Sequence, residues 1–532
     1  MFQQLLTPLG GSLPLSFAVA ALPIATVLIM LGVLRRPAWL ASLGGLAVGL
    51  VIAVGLWRLP PRLAADAIAN GAMFALWPVM WIVVNGILLY NIAVRTGRFD
   101  AFRDWMLDHL PADRRVVLII VGFCFGSLLE GIAGFGTPVA ITSALLILLG
   151  FEAREALTFT LIFNTAPVAF GALGVPITTL GSVTHLSDVT LGAMVGRQLP
   201  FIALLLPFYV TALHGGRRSL AALWPLLAVA GGSFAVTQFL VSNYVSYVLT
   251  DVLSSLGSLA VTLTFLRRWR PAPDAEFAVR APPRAARAGQ PPTWQGWLPW
   301  IIVSAVVIVW TTLRVSRYLD TKIPWPGLHN AVFITLYKSP YAAVWDFQPL
   351  ATGTAILVAA IITALAVGCG PRQFLAAVVQ TARQTRLAIL TVAAIMGLAY
   401  LMNYSGLNYT LGLGVSSAGA LFPLLSAFLG WVAVFLSGSD TSGNALFGNL
   451  QVVAAHQLNL SPVLIAATNS SGGVMGKMIS PQNLATGAAV TELKGQEGAV
   501  LATTFKHSII LTLVLSAIVV AQQYLVPWMI AK

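Results

Sequence analysis

Charged side chains are scarce in this 532-residue chain: Asp, Glu, Lys and Arg together make up 9%, against about a quarter in ordinary soluble domains. With 58% of residues hydrophobic, that scarcity excludes a soluble globular protein. Cysteine is nearly absent. Cys124 and Cys369 lie far apart, each inside an apolar stretch, which excludes a disulfide framework and a cysteine-based metal cluster. The sequence also lacks HExxH and any paired His/Cys set, so metal-dependent hydrolysis has no ligands to work with. Acidic residues are fewer still than basic ones, and the net charge is +13. The Lys and Arg residues fall in short clusters between apolar runs and not on one continuous face, so they set membrane topology and no nucleic-acid partner is implied.

What the chain has in abundance is apolar runs near the roughly 20 residues that span a bilayer. They cover Leu13 to Leu34, Ala38 to Trp57 and Ala72 to Val94, then 116–150, 156–175, 189–213, 221–242, 246–266, 297–315, 351–369, 387–404, 415–457, 462–490 and 508–531. The pattern predicts an all-α polytopic membrane protein of about 12 or more transmembrane helices. No basic region precedes the first run, and Arg35 and Arg36 follow it, which fits a retained helix and not a cleaved signal. The segment 267–296 carries arginines at 267, 268, 270, 280, 284 and 287 against Asp274 and Glu276. It has no periodic apolar face, so it is read as a flexible cytoplasmic linker between membrane halves 1–266 and 297–532. Arginines at 95, 98, 103, 114 and 115, and Arg372, Arg383 and Arg386, put 95–115 and 370–386 on that same side, and 316–350 on the other. The run that begins near 116 then starts inside, and the one that begins near 415 starts outside.

Both of those runs are interrupted. The first half reads LLEGIAGFGTPVAI (128–141) and then FNTAPVAFGALGVPI (163–177); the second reads LSGSDTSGNALFGNLQ (436–451) and then ATNSSGGVMGKMISPQNLATG (467–487). Glycine and proline crowd all four strings, and Asn164 and Asn469 each open the second break of their half. This is an inverted repeat of broken or re-entrant helices. Broken helices free N–H groups for an anion and carbonyls for a cation, and such backbone is tolerated at membrane depth only where it lines a cavity. The competing use of the glycines is close helix packing.

The strings EGIAGFGTPVAI, NTAPVAFGALGVPI, MVGRQLPF (194–201), GSDTSGNALFGNLQ and SGGVMGKMISPQ, in this order along nearly the whole chain, resemble those of the bacterial L-lactate permease family. The resemblance implies a multi-pass protein of the bacterial inner membrane that imports L-lactate, and also D-lactate or glycolate, by proton symport. It implies alternating access around a midplane site, with no enzymatic activity and no cofactor. The expected partners are a small 2-hydroxymonocarboxylate and membrane lipid. By the residues alone Na⁺ stays open beside H⁺, because freed carbonyls suit it. The chain departs from the family mainly in the linker and in 316–350. SGSD in an apolar helix resembles the intramembrane aspartyl proteases, but their aspartate after a tyrosine is missing. A channel would need rings of charge or a carbonyl filter, which are not evident.

Glu130 falls inside an apolar run just before the first break, where an ionised carboxylate costs several kcal/mol. It is the first candidate for the proton carrier, and its alternative is a static pair with a cation such as Arg197. Asp440, in the second half, is its counterpart, with helix capping as the alternative. Arg197 interrupts the run 189–213 and offers a bidentate grip on a carboxylate, whereas Lys477 offers a point charge; each is a candidate for the substrate anion or a counter-ion to Glu130 or Asp440. The break at Gly134, Phe135, Gly136 and Thr137 supplies backbone. Asn164, Thr165, Ser437, Ser439, Thr441, Ser442, Asn444, Asn469, Ser470, Ser471, Ser480 and Gln482 offer groups for a carboxylate and a 2-hydroxyl, or merely repair helix ends. His185 is read as a loop residue outside the site.

Two expectations follow. The breaks should meet at mid-depth, so a structure with Gly134 and Gly443 at opposite surfaces would contradict the repeat. Arg197→Lys should weaken lactate binding by roughly 1–3 kcal/mol, the scale of a charge-assisted hydrogen bond, measured on the purified, folded variant.

Overall fold

A computed structural model describes residues 1–34, 36–108, 111–132, 134, 137–279, 291–491, 493 and 496–532. Among them, ten helices are long and apolar enough to cross a membrane, and Ala153–Phe163 with Val168–Thr184, bent by 65°, makes an eleventh. One of the ten, Asp188–Tyr244, holds two passes: Gly216 at φ 60° and ψ −162° reverses the chain, and Gly231 on the return faces the Leu204 backbone. The protein is a multi-pass, all-α membrane protein.

The run 116–150 does not cross. Arg114–Ile132 runs inward as one apolar rod, π-helical over Leu118–Phe125, and Thr137–Leu148 returns. The Arg114 guanidinium donates to the Gly150 carbonyl at 3.0 Å and to that of Glu276 at 2.7 Å, so both feet of this first hairpin stand at the end of the molecule that holds the linker. The run 415–457 is also re-entrant. Phe422–Ser437 and Asp440–Gln457 form a second hairpin with its foot at the opposite end, where the His456 ring lies 5.5 Å from that of Tyr337 in the segment 316–350. Each hairpin is followed by a broken span: Ala153–Phe163 then Gly171–Thr184, and Pro462–Lys477 then Pro481–Val490.

Local sequence explains the breaks. Gly438, at φ 72°, ends one helix in the left-handed region that glycine tolerates, and the Ser439 hydroxyl accepts from the Ser442 N–H to start the next. Ser461–Pro462 and Ser480–Pro481 each set a capping serine before a proline at the first helical position, where the missing N–H costs nothing.

The packing does not follow the two chain halves. Ala38–Gly55 and Pro61–Phe74 pack along Pro371–Ser405, and Trp81–Arg95 packs on Thr352–Ala366. At the far end, Phe2–Gln3 pairs in parallel with Val332–Ile334, and Thr321–Pro324 pairs antiparallel with Val344–Phe347.

Two expectations about connections are corrected. Segment 370–386 is not a loop but the polar start of the 35-residue helix Pro371–Ser405; a helix with its first half outside the apolar layer keeps its arginines in water without a break. The linker is anchored over 274–278: Asp274 pairs with Arg218 at 3.2 Å, Phe277 lies under the Arg115 guanidinium at 4.5 Å, and Ala278 bridges to Asp113. Single anchors of this kind carry no periodicity for a sequence pattern to reveal. The linker arginines 280, 284 and 287 lie outside the described residues.

Phe422–Ser437 and Pro462–Lys477 approach so closely that a Cβ on Gly430 would fall on the Asn469 carbonyl, and one on Gly472 or Gly476 on those of Ala427 and Trp431. Small residues that let backbones touch are how helices associate in lipid. Gly472→Val should destabilise the protein by about 1–3 kcal/mol through overpacking. A lowered thermal midpoint of the purified protein in detergent is the expected result, and an unchanged midpoint would contradict this contact.

Candidate functional site

The tips of the two hairpins and the two breaks line a small cavity of about 40 Å³, room for a few waters. Its wall is Glu130 and Gly134 from the first hairpin, Val168, Gly171, Ala172 and Pro176 from the first broken span, Gly438, Ser439, Asp440 and Thr441 from the second hairpin, and Lys477 and Gln482 from the second broken span. Gly443 follows one turn behind Asp440 on the same helix, so Gly134 and the Gly443 turn lie together and not at opposite surfaces.

Glu130 and Lys477, 2% and 5% exposed, form an ion pair across this cavity at 2.6 Å. Asn164 donates to the other Glu130 oxygen at 3.0 Å. Gly171 makes room for the pair, because a Cβ there would come within 2.9 Å of the Glu130 carboxylate. The next residues, Ala172 and Leu173, hold φ of 46° and 59°, a conformation that costs a side-chain-bearing residue on the order of 1–3 kcal/mol and persists only when the surroundings over-determine it.

Asp440 is not the cap of its helix; Ser439 is. One Asp440 oxygen accepts from the Ser470 hydroxyl and from Asn444 at 3.3 Å. Asn444 also donates to the Pro176 carbonyl at 3.1 Å and accepts from Asn469 at 2.9 Å; Asn469 accepts from Gln451 at 2.7 Å, and Gln451 from Ser426. This buried chain fixes the second hairpin to both broken spans.

The remaining predicted residues have local duties. Thr165 donates to the Ile162 carbonyl, Ser437 to that of Ser439, and Ser471 to the Gln198 side chain at 2.7 Å. Ser480 caps Pro481–Val490, and Ser442 gives its N–H to Ser439. Phe135, Gly136 and the Thr137 side chain lie outside the described residues. Arg197 is not brought to the cavity. Its guanidinium donates to Asn243 at 2.8 Å and to the Met529 carbonyl at 3.0 Å, and its own carbonyl accepts from Gln522. It latches the chain's last residues to the turn after Val195, and the cation at the site is Lys477. His185 meets Tyr341 of 316–350 at 2.7 Å, remote from the ion pair. One residue at the centre is additional: Asp251, fully buried at 0% exposure, within the apolar run 246–266. Like Glu130, it is a lone acid inside an apolar run.

Removal of one partner of a buried ion pair strands the other charge. Lys477→Met should therefore destabilise the protein by roughly 3–5 kcal/mol, whereas Glu130→Gln combined with Lys477→Met should recover most of the loss. Denaturant unfolding in detergent would measure the cycle, and a double variant as unstable as the sum of the singles would contradict the pair.

Residues 16–526 match the L-lactate permease family. The chain is 40% identical over 558 residues to the glycolate permease GlcA of Escherichia coli K12, with 99% of each chain covered. It is 39% identical over 552 residues to the L-lactate permease of that strain, with both chains covered in full, and 38% identical over 562 residues to the L-lactate permease of Bacillus subtilis 168, covering 99% of each. Among solved structures, the Neisseria gonorrhoeae efflux pump MtrF aligns with a TM-score of 0.46 at 12% identity, over 87% of this chain and 84% of that one. With end-to-end identity to curated permeases and a family match over nearly its whole length, this chain belongs to the L-lactate permease family, whose members are transporters and not enzymes.

Proposed function

We propose that this chain is a secondary active transporter that imports lactate or glycolate across the bacterial inner membrane with a proton, by alternating access around the cavity between the hairpin tips. The observation that carries the reading is the Glu130–Lys477 pair on the cavity wall. Lys477 is the one cation lining that wall among the described residues, and Glu130 already holds it. A substrate carboxylate can take Lys477 only as Glu130 lets go, and a released carboxylate in this dry setting must take up a proton. Anion binding and Glu130 protonation therefore favour each other, and by reciprocity each raises the affinity for the other. Anion and proton together carry no net charge, so the loaded carrier is no more highly charged than the empty one.

The remaining groups suit a 2-hydroxy acid. Ser439, Asp440 and Thr441 begin the helix Asp440–Gln457, whose N-terminal N–H groups favour negative charge. The Ser439 and Thr441 hydroxyls and the Gln482 amide line the same cavity and can meet a 2-hydroxyl. Gln482 also lines a second hollow beside Arg36 and Glu497, which makes it the natural threshold between the site and the linker end.

Proteoliposomes loaded with the purified protein test the proposal. Labelled L-lactate and glycolate should accumulate under an imposed proton gradient, and accumulation under a sodium gradient alone would overturn the choice of ion. Glu130→Gln should lose proton-driven accumulation yet keep lactate exchange, because glutamine imitates the protonated acid. Arg197→Lys should leave lactate affinity unchanged, whereas Lys477→Gln should weaken it by about 1.5–3 kcal/mol, the scale of a hydrogen bond to a charged group.

A further inference from the structure

Asp251 is the buried acid at the centre of the protein that the exchange of partners on Lys477 does not use. It lies in the first turn of Thr250–Arg268, is fully buried, and neither of its carboxylate oxygens has a hydrogen-bond partner among the described residues. It presses on the first hairpin beside Glu130: a Cβ on Gly131 would come within 2.7 Å of the Asp251 Cβ. It lies within electrostatic reach of both Glu130 and Lys477. The other two central acids are served, Glu130 by Lys477 and Asn164, and Asp440 by Ser470 and Asn444. A carboxylate ion with no cation paired to it and no donor bonded to it is untenable in such a place, so Asp251 holds a proton while Glu130 is paired.

The titratable groups around it fall on two sides. Glu130 faces it from the first hairpin, with Lys477 beyond. One turn earlier on its own chain is Tyr247, whose hydroxyl donates to Asp188 at 2.7 Å and shares a hydrogen bond with Thr178 at 3.0 Å. Asp188 is partly exposed and lies close to His185, at the end of the molecule that holds 316–350. Cys124, across from Ser258 at 3.4 Å, stands two turns further along.

We propose that Asp251 is the proton relay that serves Glu130. When substrate takes Lys477, the O–H bond of Asp251 breaks and an O–H bond forms on the released Glu130; Asp251 is then reprotonated by a solvent proton that enters from the Asp188 and Tyr247 side. The sum is one proton gained by Glu130 and no change at Asp251. The inference rests on the proton-coupled reading above.

Proton uptake on lactate binding, followed by stopped flow with a pH indicator in weakly buffered detergent solution, tests it. The parent should take up a proton. Asp251→Asn should take up the same amount about tenfold more slowly or worse, the low end of what a positioned proton-transfer group contributes, with lactate affinity unchanged. Glu130→Gln should take up none. An unchanged rate in Asp251→Asn overturns the relay, and so does uptake that vanishes in Asp251→Asn but survives in Glu130→Gln, which would make Asp251 the acceptor. A parent that binds lactate with no proton uptake overturns the proton-coupled reading and the relay with it. Should Asp251→Asn not fold, infrared spectra of lactate-free protein with aspartate labelled at the side-chain carboxyl carbon decide: a protonated aspartyl C=O band that persists in Asp440→Asn supports the relay, and its absence overturns it.

Discussion

An ammonium and a carboxylate taken together out of water stay charged only as long as they hold each other. The Glu130–Lys477 pair is such a couple, and it joins elements that enter the molecule from opposite ends. Glu130 sits near the tip of a hairpin rooted at the linker end; Lys477 ends a helix that begins beside the second hairpin's foot at the other end. Each charge would be untenable alone at this depth. The pair therefore locks the two repeat elements to one another at the cavity wall.

The surroundings hold that pair in place. Gly171 leaves space for the carboxylate, and the strained backbone at Ala172 and Leu173 shapes the wall beside it. The amide chain from Ser426 through Gln451, Asn469 and Asn444 to Asp440 holds the second hairpin to both broken spans with its donors satisfied. A buried network whose amide donors are all paired favours one arrangement. The frame behind these elements mixes both halves of the chain, with Ala38–Gly55, Pro61–Phe74 and Trp81–Arg95 packed along Pro371–Ser405 and Thr352–Ala366.

Much of this was legible in the residues themselves. Runs of apolar side chains determine membrane helices, because nothing else satisfies the backbone in lipid. Arginine clusters determined the opposed directions of the two interrupted segments, and Gly, Pro, Ser and Asn at their centres marked the breaks. Glu130, Asp440 and Lys477 stood out as charges in apolar strings, and all three line the cavity. Family membership was likewise written in long strings such as GSDTSGNALFGNLQ.

Other things only the tertiary structure decided. Whether 116–150 crosses or returns depends on which end its last helix reaches, and period and length are the same for both; the Arg114 to Gly150 contact settles it. By residue type Arg197, with its bidentate guanidinium, is the stronger anion partner, but the turn after Val195 aims it at Asn243 and Met529, whereas the end of Pro462–Lys477 aims Lys477 at Glu130. Asp251 looks like one polar residue at the start of a helix until packing sets it against Gly131 with no partner. The sequence by itself determined which residues enter the membrane and where the helices break, since those follow from the solvation of single segments. Only the tertiary structure decided which charges face one another, because a pairing between residues 347 apart is a property of the packing and leaves no local trace.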